Sequence, residues 1–247
     1  MKLSLLLIAV VISTSLYGQN KQRTIMDREN NLIEHYNSTG KDTLFKNGRY
    51  SAYTYFSNSI ICKGFYKNNL KDSVWCYYSR GVVIDSGYYR EDKKIGVWQS
   101  YKTNGQLQVQ YDFTNKKLLI YNPEPQDADT SALYSVVNNT ESVMTVLDRA
   151  PIYLDGDTMF KNTIVLNLPY PQQAREAQIQ GKVIISFIVD ENGHPTDYKI
   201  LKKMGYGLDK AALNAVKHAT GDWLPGLLKG KPVAVEHIIP VSFSLPQ

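Results

Sequence analysis

Histidine is scarce in this chain of 247 residues, with only four. They are scattered as His35, His194, His218 and His237, without the close spacing that zinc sites use. No G-x-S-x-G, P-loop or dinucleotide fingerprint occurs, so the usual signatures of nucleophilic hydrolysis, phosphate cradling and hydride transfer are missing. The acceptor clusters Asp155-Gly156-Asp157 and Asp190-Glu191-Asn192-Gly193 read as turns. The chain therefore reads as a non-enzyme, and nothing in it asks for a metal or cofactor. The net charge is +5, but the basic residues are interspersed with acidic ones and never run to five in succession. That excludes a nucleic-acid footprint. No apolar run approaches the ~20 residues that span a bilayer.

One shorter apolar run is present. Lys2, then a core over residues 3–12, then small and polar residues over 13–18 make the three parts of a secretory signal, with export to the periplasm as the expectation. An uncleaved membrane anchor is the alternative. Cysteine is nearly absent, at two residues. A hairpin centred on Asn69 would set Cys62 opposite Cys76, and an oxidising compartment would permit a bridge there. Two small buried hydrophobes are the other reading.

Tyrosine is abundant, at 18 residues, and most lie before residue 122. They accompany a repeat. Gly64 and Gly87, Trp75 and Trp98, and Tyr78 and Tyr101 are each separated by 23 positions. A weaker copy precedes them, with Tyr53 and Phe56 in the tryptophan and tyrosine places; a decayed copy ends at Tyr121. A fixed period of this size signals stacked supersecondary units. Aromatic strands around KNNLKD and REDKK turns make each unit a hairpin. Over residues 64–105 the pattern resembles the MORN-repeat family, with Asn69, Ser73 and Asp92 where that family has turn glycines. The resemblance implies a sheet platform and no particular chemistry.

Residues 122–150 read as a linker, led by the proline-bearing, acidic NPEPQDADTS. After it the rhythm changes. Pro169 and Pro171 introduce a helix that stops at Gly181. Val183, Ile185, Phe187 and Val189 alternate as a strand, Asn192-Gly193 signals a hairpin, and a strand over 198–201 returns. A helix begins at Leu208 with apolar residues at helical spacing. VAVEHIIPVSFSL closes the chain as a strand over residues 233–245, in which Pro240 cannot donate to a ladder. The order helix, strand, strand, helix, strand describes a two-layer α+β module.

The ordered series Tyr170-Pro171, Ala174, G-K-V-x-x-x-F-x-V-D-x-x-G over 181–193, L-D-x-A-A-x-x-A-V over 208–216, W-x-P-G over 223–226, G-K-P-V over 230–233 and I-P-V-x-F-x-L over 239–245 resembles the C-terminal domain of the TonB family. The expected fold class is thus α+β: an exported chain with an antiparallel hairpin-repeat sheet followed by a two-layer TonB-like domain. The expected domains are a signal peptide over 1–18, an N-terminal segment over 19–45, the repeats over 46–121, the linker over 122–150 and the TonB-like domain over 151–247. The resemblance implies strand addition, in which the closing strand pairs with the TonB box of TonB-dependent outer-membrane transporters. Carried over residue by residue, it places partner contacts at Val233, Ala234, Val235, Glu236, His237, Ile238 and Ile239. It adds a lead-in segment with Asn167, Pro169, Tyr170 and Pro171. It also implies inner-membrane motor proteins as partners, although the long proline-rich span of the family's transducers is replaced here by the repeats. Trp223 and Phe187 read as core. An unprotected edge further offers an edge-mediated homodimer. The reading from a different class is an envelope scaffold or adaptor whose repeat sheet binds protein or glycan.

Overall fold

The computed structural model describes residues 11–12, 20–27, 31–39, 44–123, 131–138, 141–219 and 221–245. Most of the expected signal segment lies outside them. The chain divides into two compact units, residues 1–121 and 122–247. Among the described residues no helix is long and apolar enough to cross a membrane.

The first unit is a ten-stranded antiparallel meander in sequence order. Its strands are β1 (Val11–Ile12), β2 (Asn20–Asp27), β3 (Leu32–Thr39), β4 (Gly48–Thr54), β5 (Ile60–Lys67), β6 (Leu70–Ser79), β7 (Val82–Arg90), β8 (Lys93–Tyr101), β9 (Leu107–Asp112) and β10 (Lys117–Tyr121). The sheet therefore starts upstream of the repeats that the sequence marks.

The 23-residue period reappears as equivalent contacts. Gly64 and Gly87 leave room for an indole laid flat on the backbone: a Cβ at either would come within 2.2 Å of Trp75 or 2.3 Å of Trp98. Trp75 Nε1 donates to the Phe65 carbonyl at 3.0 Å, and Trp98 Nε1 to that of Tyr88 at 3.1 Å. Lys71 and Lys94 each place Nζ 4.7 Å from the centre of the indole four residues on. In the preceding unit Lys46 lies 4.8 Å above Tyr50, whose ring meets Trp75 at 5.5 Å. Tyr50, not Tyr53, thus holds the equivalent place: it faces Gly64 as Trp75 faces Gly87, and the longer connection between β4 and β5 than between β6 and β7 alters the spacing. Phe56 is 69% exposed and takes no part.

The turns explain why glycine is replaced. Asn68-Asn69 and Glu91-Asp92 are consecutive left-handed pairs, with φ between 51° and 67°, as two-residue hairpin loops require. Asn69 Oδ1 accepts the Lys46 N–H at 2.6 Å, and Asp92 Oδ1 accepts that of Lys71 at 2.6 Å. Asn and Asp tolerate the left-handed region and add a bond to the neighbouring hairpin that glycine could not make.

The hairpin register corrects the cysteine pairing. The loop is centred between Asn68 and Asn69, so Lys67 faces Leu70. A bulge between Lys63 and Phe65 then shifts the ladder, and Cys62 faces Tyr77 while Lys63 faces Cys76. Cys62 and Cys76 belong to opposite faces of the sheet, and both thiols are free. Cys62 is buried, which pushes its thiol up to about 11.

Those two faces differ throughout. On one, the cross-strand partners Arg23 and Tyr36, Tyr36 and the half-buried Tyr50, Trp75 and Gly87, and Trp98 and Tyr111 form an otherwise buried row. On the other, Thr24, His35, Ser51 and Lys63 stand directly opposite one another on β2 to β5. The line continues through Cys76, Ser86, Gln99 and Gln110 on β6 to β9. None of these eight residues is buried.

The second unit contains β11 (Leu133–Asn138), β12 (Glu141–Val146), β13 (Ile152–Tyr153), α1 (Gly156–Leu166), α2 (Gln172–Glu176), β14 (Gly181–Val189), β15 (Pro195–Lys202), α3 (Leu208–His218), β16 (Trp223–Leu224), β17 (Gly226–Leu228) and β18 (Lys231–Phe243). Its main sheet has the order β12-β11-β18-β14-β15, with β17 also on β18. Val183, Ile185, Phe187 and Val189 pack inward on α1 and α3, whose Phe160, Ile164, Leu208, Ala212, Ala215 and Val216 complete one core. Residues 133–138 and 141–146, in the stretch read as linker, pair as antiparallel strands. The helix after Pro171 ends at Glu176, because Gln178 turns left-handed at φ 54°.

Candidate docking edge

β18 is held along one side by β14. Nine consecutive pairs run from Gly181 opposite Phe243 to Val189 opposite Val235 without a bulge, straight through Pro240 opposite Ile184. Alternation fixes its faces. Val235, Val241 and Phe243 are buried, whereas Ile238, with the opposite parity, is 54% exposed.

β18 has two further partners, of which β11 lies on the side away from β14. β17 pairs with residues 231–233, after a tight turn at Lys229-Gly230 where both residues have positive φ. β11 pairs at only two positions, Val137 with Ala234 and Val136 with Val235. Residues 147–149 in turn brace β17: the Leu227 carbonyl accepts the Asp148 N–H at 2.8 Å, and Arg149 Nη2 donates to the Pro225 carbonyl at 2.9 Å. Among the described residues no strand lies on the second side of residues 236–243. The sequence reading put the docking stretch at 233–239; its first three members, Val233, Ala234 and Val235, already have neighbours. The open stretch begins at Glu236 and runs to Phe243.

The lead-in residues separate into two roles. Asn167 ends α1, its N–H reaching the Thr163 and Ile164 carbonyls at 3.2 Å and its Nδ2 donating to the Thr163 carbonyl at 2.8 Å. Pro169 is exposed. Tyr170 packs its ring 5.6 Å from that of Phe243, and its hydroxyl donates to the Ile179 carbonyl at 2.6 Å. Pro171 caps α2 in extended backbone, with φ −59° and ψ 140°. Tyr170 therefore lies at the open end of β18, while Val235 lies eight residues, about 26 Å, away along the strand. The sequence-predicted residues do not form one patch.

His237, from the middle of the edge, turns inward. Its ring lies 5.3 Å from Phe187, 5.4 Å from Trp223 and 6.4 Å from Phe160. Removal from water holds its pKa below the ordinary value; Asp157 opposes that effect and Lys161 adds to it. Phe187 is 1% and Trp223 7% exposed, so both serve the core. Trp223 Nε1 is buried without a hydrogen-bond partner among the described residues. Gly193, at φ +81°, closes the β14–β15 hairpin and abuts the Trp223 carbonyl, which a Cβ would approach to 2.1 Å. Among the described residues no group of three or more His, Cys, Asp or Glu side chains is placed to hold a metal.

This arrangement, a long strand with a neighbour on one side and an unfilled stretch on the other, is what backbone pairing with a second chain requires. Residues 167–245 match the family described as Gram-negative bacterial TonB protein C-terminal. Protein TonB of Helicobacter pylori is 35% identical over 80 residues, 32% of this chain and 26% of that protein. The chain thus aligns with about a quarter of the length of this curated relative. Two solution structures of the Helicobacter pylori TonB C-terminal domain are similar in sequence at 28% and 29% identity. Each covers 36% of this chain, with 80% and 94% of the solved chains covered and TM-scores of 0.30 and 0.29.

Proposed function

We propose that this is a periplasmic TonB-like protein whose C-terminal domain captures the TonB box of outer-membrane transporters by strand addition, in energy-coupled import. The observation that carries the reading is the unfilled second side of residues 236–243 within a domain matched by the TonB C-terminal family. The partner's strand would extend the sheet beyond β18. It would meet Tyr170 at one end, and the β11 pairing at Val235 would bound it at the other.

An antiparallel ladder alternates the direction of its backbone groups, so only about half of the eight open residues face a newcomer. At a net ~1 kcal/mol per bond, offset by the cost of ordering a flexible peptide, the complex should be of modest affinity and exchange readily. The test is titration of the isotopically labelled chain with a transporter's TonB-box peptide, followed by amide NMR. Shifts confined to residues 236–243 and the neighbourhood of Tyr170 are expected. Absence of shifts in the folded protein, or shifts centred on β12 or β15, would defeat the reading.

A further inference from the structure

The face of the ten-stranded sheet opposite its tryptophans has no part in strand addition, yet it is built with the regularity of a site. The line of eight polar or small residues from Thr24 to Gln110 crosses eight strands, about 34 Å at the usual strand spacing. Aromatic rings flank it on both sides. Tyr78 and Tyr101 stand on one side: Lys63 Nζ lies 5.9 Å from the Tyr78 ring, and the Tyr101 hydroxyl donates to Gln99 Oε1 at 3.1 Å. On the other side stand Phe65, 42% exposed, and Tyr88, 54% exposed. Phe65 and Tyr88 lie two strands apart, as do Tyr78 and Tyr101. Each aromatic therefore recurs at about 10 Å along the line.

Over β2 to β6 this face forms a cavity of about 970 Å³. Arg49 and Lys63 line it together with Asn37, Ser51 and the Phe65 and Tyr78 rings, and among the described residues no carboxylate does. Two carboxylates on this face lie outside that lining and accept hydrogen bonds from their own turns, Asp72 from Ser73 and Asp112 from Thr114 and Asn115.

We propose that this face binds an extended, β-linked polysaccharide bearing carboxylates, laid across the strands. Sugar rings present flat C–H faces that stack on aromatic rings, and hydroxyls that the amides and hydroxyls of the central line can bond. The carboxylates would pair with Arg49 and Lys63, a charge-assisted contact that a neutral glycan cannot make. A recurring set of partners two strands apart suits a polymer with a recurring disaccharide better than a single small molecule. The buried row supports the site from beneath, where Trp75 of β6 and Trp98 of β8 each bond the backbone of the preceding strand. The proposal gives a ligand class to the scaffold reading of the repeat sheet and is independent of strand addition, so either can fail alone.

The test is co-sedimentation of the full chain with purified, protease-treated peptidoglycan, a β-1,4-linked glycan carrying carboxylates. Chitin serves as the uncharged counterpart. Retention on peptidoglycan, release on raising salt and weaker retention on chitin are expected. Replacing both cations by Arg49→Gln and Lys63→Gln should weaken retention at least about tenfold, the loss of a hydrogen bond to a charged group. In the unaltered chain, soluble peptidoglycan fragments should slow alkylation of Cys76, which lies in the central line, and leave Cys62 unreactive. Unchanged retention of the folded double variant, equal retention on chitin at high salt, no retention of the folded chain, or alkylation indifferent to the fragments would each overturn the proposal.

Discussion

Replacing Gly87 by alanine should unfold the repeat sheet at a markedly lower temperature, and the size of the effect can be worked from the contacts of Trp98. The new Cβ would lie 2.3 Å from Trp98 Cδ2, more than 1 Å inside van der Waals contact. The indole cannot move without loss: it is 1% exposed, donates to the Tyr88 carbonyl at 3.1 Å, stacks edge-on with Tyr89 at 4.9 Å and lies under Lys94. Displacing it forfeits a hydrogen bond of about 1 kcal/mol and an aromatic pair of about 1 kcal/mol, and strain in the packed row adds about 1 kcal/mol more. A total near 3 kcal/mol corresponds to a Tm lower by roughly 12–20 °C for a unit of this size. Gly81→Ala is the control, because φ there is +80° but a Cβ would meet nothing within 4 Å. Its cost is backbone strain alone, about 1 kcal/mol. Scanning calorimetry of the two variants decides the matter: a Gly87→Ala transition no lower than that of Gly81→Ala would refute the close-approach account of the repeat.

Two further outcomes follow from titratable groups. Thiol titration of the denatured chain should find two free thiols whether or not reductant is added beforehand; in the native chain iodoacetamide should modify Cys76 and spare Cys62, whose thiol is buried and raised to about 11. A disulfide-linked fragment after proteolysis would contradict the register. His237 is held below its ordinary pKa chiefly by burial, so the unfolded chain binds the proton more readily than the folded one. Its contribution to stability is complete above the unfolded value near 6.5 and is lost as pH falls through that value toward the lower folded one. Denaturant midpoints of the second unit should therefore drop between neutral and mildly acidic pH, and His237→Phe, which keeps the ring, should flatten the difference. An identical slope in the variant would show that the pH dependence arises elsewhere.

Local rhythm made much of this legible. Alternation at Val183, Ile185, Phe187 and Val189 marks β14, and the 23-residue spacing of Trp75 and Trp98 marks equivalent hairpins. What escaped has a physical cause in each instance. α1 was hidden because Asp155-Gly156-Asp157 resembles a turn. Gly156 does turn, at φ +77°, but it opens a helix with Asp157 in the first turn and Phe160 and Ile164 on the buried face. The i, i+4 spacing of Phe160 and Ile164 was the available signal. The Cys62–Cys76 pairing fails on the turn: a two-residue loop centred between Asn68 and Asn69, and not on Asn69, already puts the two cysteines on opposite faces, and a bulge shifts the register further. The covering of Val233, Ala234 and Val235 by β17 and β11 comes from segments of which one lies about a hundred residues away, and pattern within a strand says nothing of its neighbours.

Pro240 offers the sharpest discrimination at the candidate edge. Its nitrogen must face either β14 or the open side, and alternate residues share a direction. The unbroken register with β14 through Pro240 fits a ring nitrogen turned outward, since an inward one would delete a ladder bond in the middle of the longest pairing. Glu236, Ile238 and Ser242 would then offer N–H and C=O to a partner, and Pro240 a carbonyl only, or about seven bonds in all. Pro240→Val would complete the set and should tighten peptide binding by about fivefold, the worth of one net hydrogen bond. The stability of the free domain should stay nearly constant. If the nitrogen instead faced β14, the same substitution would raise the denaturant midpoint and leave affinity alone. Measuring both quantities on one variant separates the two geometries, and a tighter fold with unchanged binding would refute the outward assignment.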